Sequence, residues 1–194
     1  CRVALQARTI NAGQSCIAAK RFILEAPIAE KFTQKMIEHL KTLRMGDPLD
    51  EKVSIGPLAK REIRDELVKL VDDAVKKGAG LLVGGKVPPG KGYFLEPTLL
   101  SGITPEMALY KEETFGPVMP LFTVNSPEEA LIMANDSEFG LGASIWTKNL
   151  ELAEDMAAKI ESGFVAINSM VKSDPRLPFG GVKKSGFGRE LGSY

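Results

Sequence analysis

The sequence predicts an α/β fold with a mainly parallel sheet flanked by helices, and the alternation of its second half carries most of that prediction. There, 117–124, 127–134, 142–147, 150–162 and 164–168 read strand, helix, strand, helix, strand. Apolar runs of strand length separated by amphipathic stretches of helix length are the pattern of βαβ units around a parallel sheet. Right-handed crossovers then place both helices on one face of that sheet. The first half adds two longer amphipathic helices and further short apolar runs. At 194 residues the chain buries enough apolar surface to hold a core without a disulfide or a metal.

Each element has its local reason. In 28–44, Ala29, Phe32, Met36, Leu40 and Leu43 recur at helical spacing, and Gly46-Asp47-Pro48 stops the helix. In 58–77 the same spacing runs through Ile63, Leu67, Leu70, Val71 and Ala74, with Gly78 as C-cap. "LLVGG" at 81–85 is short, apolar and bounded by glycine, hence a strand, and 87–93 is a loop. Ser126, Pro127 and Glu129 form a helix start: a cap, a proline at the first helical position and a capping-box glutamate. Gly163 ends the helix over 150–162. The stretch 169–194 is rich in glycine and proline and reads as a long shaped loop of the functional kind.

Composition excludes several classes of function. Lys+Arg and Asp+Glu number 25 each, so no net charge favours nucleic acid or an anionic membrane. No apolar run is long enough to span a bilayer, and residues 1–20 show no n-region, h-region and cleavage site, so secretion is not the expectation. Two cysteines and one histidine make neither a disulfide framework nor a usual zinc set, so no metal is expected and a reducing cytoplasm is the expected location. Residue 1 is Cys and not Met, which suggests a longer parent chain.

The chemistry centres on Cys16, which follows the small, polar run "NAGQS". The hexapeptide by itself leaves two readings open. Free cysteines are often small apolar filler. A nucleophilic thiolate instead needs a partner and an oxyanion site, and Gly13 allows close backbone approach with main-chain N–H groups nearby. A cysteine hydrolase would also need a histidine base. His39, mid-helix between Glu38 and Lys41, reads as a surface residue. At 111–120, "KEETFGPVMP" joins a carboxylate pair to Phe115 and a Gly-Pro turn. A carboxylate there can accept from ribose hydroxyls, and Phe115 can lie against a flat heterocycle. A solvated acidic turn is the alternative. No glycine fingerprint or Walker lysine pattern is present.

Taken together, "NAGQSC" at 11–16, "EETFGPV" at 112–118 and "PFGGVKKSGFGRELG" at 178–192 resemble the aldehyde dehydrogenase superfamily, supported by "NDSEFGLGASIWTKN" at 135–149 and "GFVAIN" at 163–168. "AAKRFI", "MGDP" and "FGGVKKSGFGRE" are most similar to bacterial succinate-semialdehyde dehydrogenases. The resemblance implies the Rossmann-like catalytic domain of that family over 1–194. It makes Cys16 the nucleophile and Glu113 the carboxylate that holds the nicotinamide ribose. Phe115 becomes the aromatic beside the nicotinamide and Phe179 a wall of the aldehyde pocket. NAD or NADP is the implied cofactor and an aldehyde the implied substrate, oxidised through a thiohemiacetal and a thioester that water hydrolyses. No histidine is then required.

The resemblance further implies that the cofactor-binding domain, the general base and the oxyanion Asn precede residue 1. A C-terminal strand that helps homo-oligomerisation follows, and the piece alone is expected to be inactive. Some members carry an Arg six residues before the nucleophile for the substrate carboxylate. Here that position is Ile10, with Arg8 two residues earlier, and Arg176 is the candidate instead. A CoA-acylating semialdehyde dehydrogenase and a non-catalytic relative on the same fold remain alternatives at this level.

Overall fold

The structure, a computed structural model, describes residues 1–193. The chain divides into two compact units, Cys1–Asn125 and Ser126–Tyr194; Tyr194, at the end of the expected tail loop, lies outside the described residues.

The first unit opens with helix α1 (Arg2–Thr9), whose last turn passes into a short 3-10 turn, Ile10–Gly13. Strand β1 (Phe22–Glu25) and helix α2 (Ala26–Lys41) follow. Then come helix α3 (Arg61–Lys76), strands β2 (Gly80–Val83) and β3 (Thr98–Ser101), the single-turn helix α4 (Ala108–Lys111) and strand β4 (Val118–Val124). The four strands form one sheet in the order β1-β4-β3-β2. β4 runs parallel to both β1 and β3, while β2 closes the edge antiparallel to β3 with an irregularity between Leu81 and Val83.

The core follows from that order. Phe22 and Leu24 of β1 and Met119 and Leu121 of β4 point to one face, where they meet Leu5 of α1 and Met36 and Leu40 of α2. On the other face, Tyr110 of α4 meets Phe122 edge-on at 5.7 Å. Being central, β4 is buried on both sides and reads as a continuous apolar run. Its Pro120 lacks an N–H and stands where pairing with β3 ends, just before the β1 register begins at Leu121.

The second unit begins with helix α5 (Pro127–Asn135), where the Ser126 hydroxyl accepts from the Glu129 N–H at 3.2 Å as the sequence expects. Strands β5 (Phe139–Gly140) and β6 (Gly142–Ile145) follow, then helix α6 (Leu150–Lys159), β7 (Phe164–Ile167) and β8 (Val182–Lys183). β6-α6-β7 is the expected βαβ unit, its strands parallel from Gly142↔Phe164 to Ile145↔Ile167. β5 pairs antiparallel with β8.

Three expectations change. β4 does not pair with β6: its ladder partners are β1 and β3, so the alternating pattern of the second half spans two units. Gly163 is not the end of α6. That helix stops at Lys159, where the Asn135 side chain donates to the Lys159 carbonyl and accepts from the Glu161 N–H, both at 2.9 Å. Gly163 instead permits close approach, since a Cβ there would run into the Gly180 carbonyl. Finally, the tail is not wholly loop: besides β8, Phe179 and Glu190 exchange backbone hydrogen bonds of 2.7 and 2.8 Å.

Candidate active site

Cys16 is exposed on the loop between the 3-10 turn and β1. That loop is strained and tethered. Asn11, Ala12 and Gly13 all have positive φ, at 48°, 54° and 80°. For Asn11 and Ala12 the left-handed region costs on the order of 1 kcal/mol each, so surrounding contacts must enforce it. Asn11 Nδ2 donates to the Gln14 carbonyl at 3.1 Å and Gln14 Nε2 to the Asn11 carbonyl at 3.2 Å. Gln14 Oε1 accepts from the Ala59 N–H at 2.7 Å, which fixes the loop to the extended residues before α3. The Ala18 N–H donates to the Ser15 carbonyl at 2.9 Å, closing a turn over Cys16. The Ala19 N–H returns to the Ala7 carbonyl of α1 at 2.9 Å.

The loop carrying Glu113 and Phe115 lies against this one. Gly13 and Gly116 approach so closely that a Cβ on Gly13 would overlap the Gly116 carbonyl. Glu113 is exposed, Thr114 is buried and Phe115 is partly buried. Between the loops stands Arg8, only 1% exposed. Its Nη2 donates to the Gly13 carbonyl at 2.7 Å and the Thr114 carbonyl at 2.9 Å. Its Nη1 reaches the Ala19 carbonyl at 3.1 Å and Thr114 Oγ1 at 3.3 Å. Burial lowers this guanidinium to about 10, with the Glu113 carboxylate opposing the shift.

Lys20 is a second cation in the same place, donating from Nζ to the Lys111 carbonyl at 2.9 Å. Burial lowers its ammonium to about 8; the Arg21 cation, and more weakly Arg8, add to this, while Glu113 and Glu112 oppose it. Between about 8 and the ordinary lysine value of 10.5, the unfolded chain binds a proton that the folded chain has lost. Stability therefore rises with pH across that window. Lys20→Met removes this contribution, so its stability should gain less than wild type does, by on the order of 2 kcal/mol, between pH 7 and pH 10. Urea unfolding of both proteins along a pH series checks it; parallel curves would remove Lys20 as the titrating group.

Phe179 and Arg176 belong to the second unit. Phe179 is buried, its ring 6.0 Å from that of Phe164. Arg176 is exposed and already engaged: Nε and Nη2 donate to the two Asp174 oxygens at 2.9 and 2.7 Å. These bonds hold the Asp174 carboxyl far below the usual carboxylate range. The same two bonds leave the N–H groups of Nη1 and the second N–H of Nη2 uncommitted to Asp174. Among the described residues no group of three or more His, Cys, Asp and Glu side chains is placed to hold a metal ion, and no helix is long and apolar enough to cross a membrane.

The sequence placed Cys16, Glu113 and Phe115, and the structure sets their two loops side by side. It did not single out Arg8, Gln14 or Lys20 as the groups that fasten those loops. One signal was available: Arg8 stands three residues after Leu5, on the buried face of a helix.

Comparison with known proteins identifies the family of this chain. The family model described as "Aldehyde dehydrogenase family" matches residues 1–194. A probable succinate-semialdehyde dehydrogenase [NADP(+)] of Synechocystis sp. is 49% identical over 191 residues, covering 98% of this chain and 42% of the relative. A succinate semialdehyde dehydrogenase [NAD(P)+] of Escherichia coli is 48% identical over 193 residues, covering 100% and 42%. The crystal structure of succinic semialdehyde dehydrogenase from Streptococcus pyogenes in complex with NADP+ superposes with a TM-score of 0.95 at 40% identity, covering 98% of this chain and 42% of that one. The chain thus spans about 42% of the length of these relatives. Because the family model matches residues 1–194 of this chain, the chain belongs to the aldehyde dehydrogenase family.

Proposed function

We propose that this chain is the nucleophile-bearing catalytic part of an NAD(P)+-dependent dehydrogenase that oxidises succinate semialdehyde to succinate. The observation that carries the reading is the exposed Cys16 on a strained, multiply anchored loop, fastened against the loop of Glu113. Strained backbone that surrounding contacts hold in place is characteristic of reactive sites. The relatives' names and their 48–49% identity support the choice of substrate and cofactor. The remaining machinery, a cofactor domain and a general base, is assigned to the rest of the full-length protein. We place that protein in the cytoplasm as a homo-oligomer.

The residues present fit a nicotinamide cofactor. Glu113 offers an exposed acceptor for ribose hydroxyls, held in place by Thr114, whose carbonyl and hydroxyl are both bound to Arg8. Phe115 adds an aromatic surface one residue beyond Thr114. When bound, NAD(P)+ supplies the hydride acceptor. Cys16 does the covalent work. Its thiolate adds to the aldehyde carbon to form a thiohemiacetal, then carries the oxidised acyl group as a thioester until water releases it.

Mixing the full-length protein with succinate semialdehyde and NADP+, quenching in acid and mapping peptides should show a succinyl adduct on the Cys16 peptide. Turnover with that peptide unmodified would overturn the covalent route. CoA added to the same mixture should leave succinate, and not succinyl-CoA, as the product.

Arg176 is the proposed ligand of the substrate's distal carboxylate. Arg176→Ala should then raise KM for succinate semialdehyde about tenfold and leave KM for butanal nearly unchanged. Asp174→Asn, which frees the guanidinium from its carboxylate, should lower KM for succinate semialdehyde. Equal effects of both changes on the two aldehydes would remove Arg176 from this role.

A further inference from the structure

We infer that Arg8 is a positioning residue that couples the nucleophile loop to the cofactor-ribose loop, so that Cys16 and Glu113 are placed by one buried side chain. The inference rests on the reading of Cys16 and Glu113 given above and extends it to a residue outside the three motifs of the resemblance. Arg8 comes from the last turn of α1, is 1% exposed, and spends four hydrogen bonds on two loops. The acceptors bracket the site. Gly13 and Ala19 lie three residues before and three after Cys16, and Thr114 directly follows Glu113. Three of the four are backbone carbonyls, so Arg8 fixes main chain on both sides of the thiol and beside the carboxylate.

Simpler reasons for an arginine here fail. A buried cation kept for stability alone is usually matched by a carboxylate, because desolvating a charge is expensive. Arg8 makes no ion pair within 4.0 Å among the described residues; its bonded partners are carbonyls and a hydroxyl. What the guanidinium adds is geometry, a planar fork that reaches both loops at once. The glycine pair Gly13 and Gly116 leaves no space for slack between those loops, so this fork sets their register. A lysine keeps the charge but offers all its donors from one nitrogen and cannot span Gly13, Ala19 and Thr114 together.

The test uses the full-length protein with Arg8→Lys, Thr114→Val and Cys16→Ser in parallel. In Arg8→Lys, hydrogen exchange at 14–19 and at 113–116 should accelerate together, the NADPH dissociation constant measured by fluorescence should rise about fivefold or more, and kcat should fall at least about tenfold. Thr114→Val, which deletes only the hydroxyl acceptor, should fold normally and raise the NADPH dissociation constant about two- to threefold. It keeps the inference testable if Arg8→Lys does not fold. An Arg8→Lys protein with a lower Tm but wild-type exchange at 113–116 and wild-type NADPH affinity would overturn the coupling role. So would acceleration confined to 14–19, or an unfolded Arg8→Lys beside a Thr114→Val of wild-type affinity. Retained turnover in Cys16→Ser would instead overturn the thiol reading, while exchange and NADPH affinity still report on Arg8.

Discussion

Cys16→Ser should abolish aldehyde oxidation, lowering kcat by about three orders of magnitude or more while leaving the fold and NADPH affinity intact. The reason is the difference between the two nucleophiles. A thiol reaches its anion at accessible pH, whereas a serine hydroxyl needs an adjacent base to be activated. The one histidine of this sequence, His39, sits in the last turn of α2, its carbonyl accepting from the C-cap Thr42 N–H, and it takes no part in the hydrogen bonds that fasten the two loops of the site. Because Cys16 is exposed, the change of one atom disturbs little packing, and stability should shift by less than about 0.5 kcal/mol. Steady-state kinetics with urea unfolding separates the two effects. Turnover within tenfold of wild type would leave the proposed chemistry without its nucleophile.

Gly13→Ala should have the largest structural effect of any single methyl added to this protein's site. Three penalties coincide. At φ +80° an alanine is strained; its methyl overlaps the Gly116 carbonyl; and it stands 2.9 Å from Arg8 Nη2. Backbone strain alone is worth about 1 kcal/mol. Forcing the two loops apart should bring the total to on the order of 3 kcal/mol and reduce kcat about a hundredfold, because a shift of about 1 Å at a nucleophile is enough for that. Gly78→Ala is the control: its φ is +103°, but no atom lies within 4 Å of the added methyl. It should lose about 1 kcal/mol and keep full activity. If the two substitutions behave alike, the close packing of the loops has no catalytic consequence.

Much of the fold was legible because local rules governed it. The Ser126 cap, the α2 and α3 stripes and the β6-α6-β7 repeat are written in residues a few positions apart, and each appears in the structure within a few residues of its expected bounds. What misled were signals with two meanings. Gly163 reads as a helix stop, but its missing Cβ serves the approach of Gly180, while the helix end is capped from Asn135, 24 residues away. The alternation from 117 to 168 reads as one sheet, yet β4 takes its partners from the strand just before it, β3, and from β1, far earlier in the chain. α1 escaped notice because its buried face includes an arginine, which periodicity counts as polar.

The sequence by itself determined the chemistry on offer: one thiol behind a glycine, a carboxylate pair beside an aromatic, and a glycine-rich tail, in an order that marks one family. Residue types and their local spacing are enough for that, since reactivity is a property of the side chain. Only the tertiary structure decided how these pieces are held. The juxtaposition of 11–16 with 112–116 and the burial of Arg8 between them depend on hydrogen-bond directions and close backbone approach. For the two loops, those directions arise only when strands and helices distant in sequence have packed, and no pattern of neighbours along the chain encodes them.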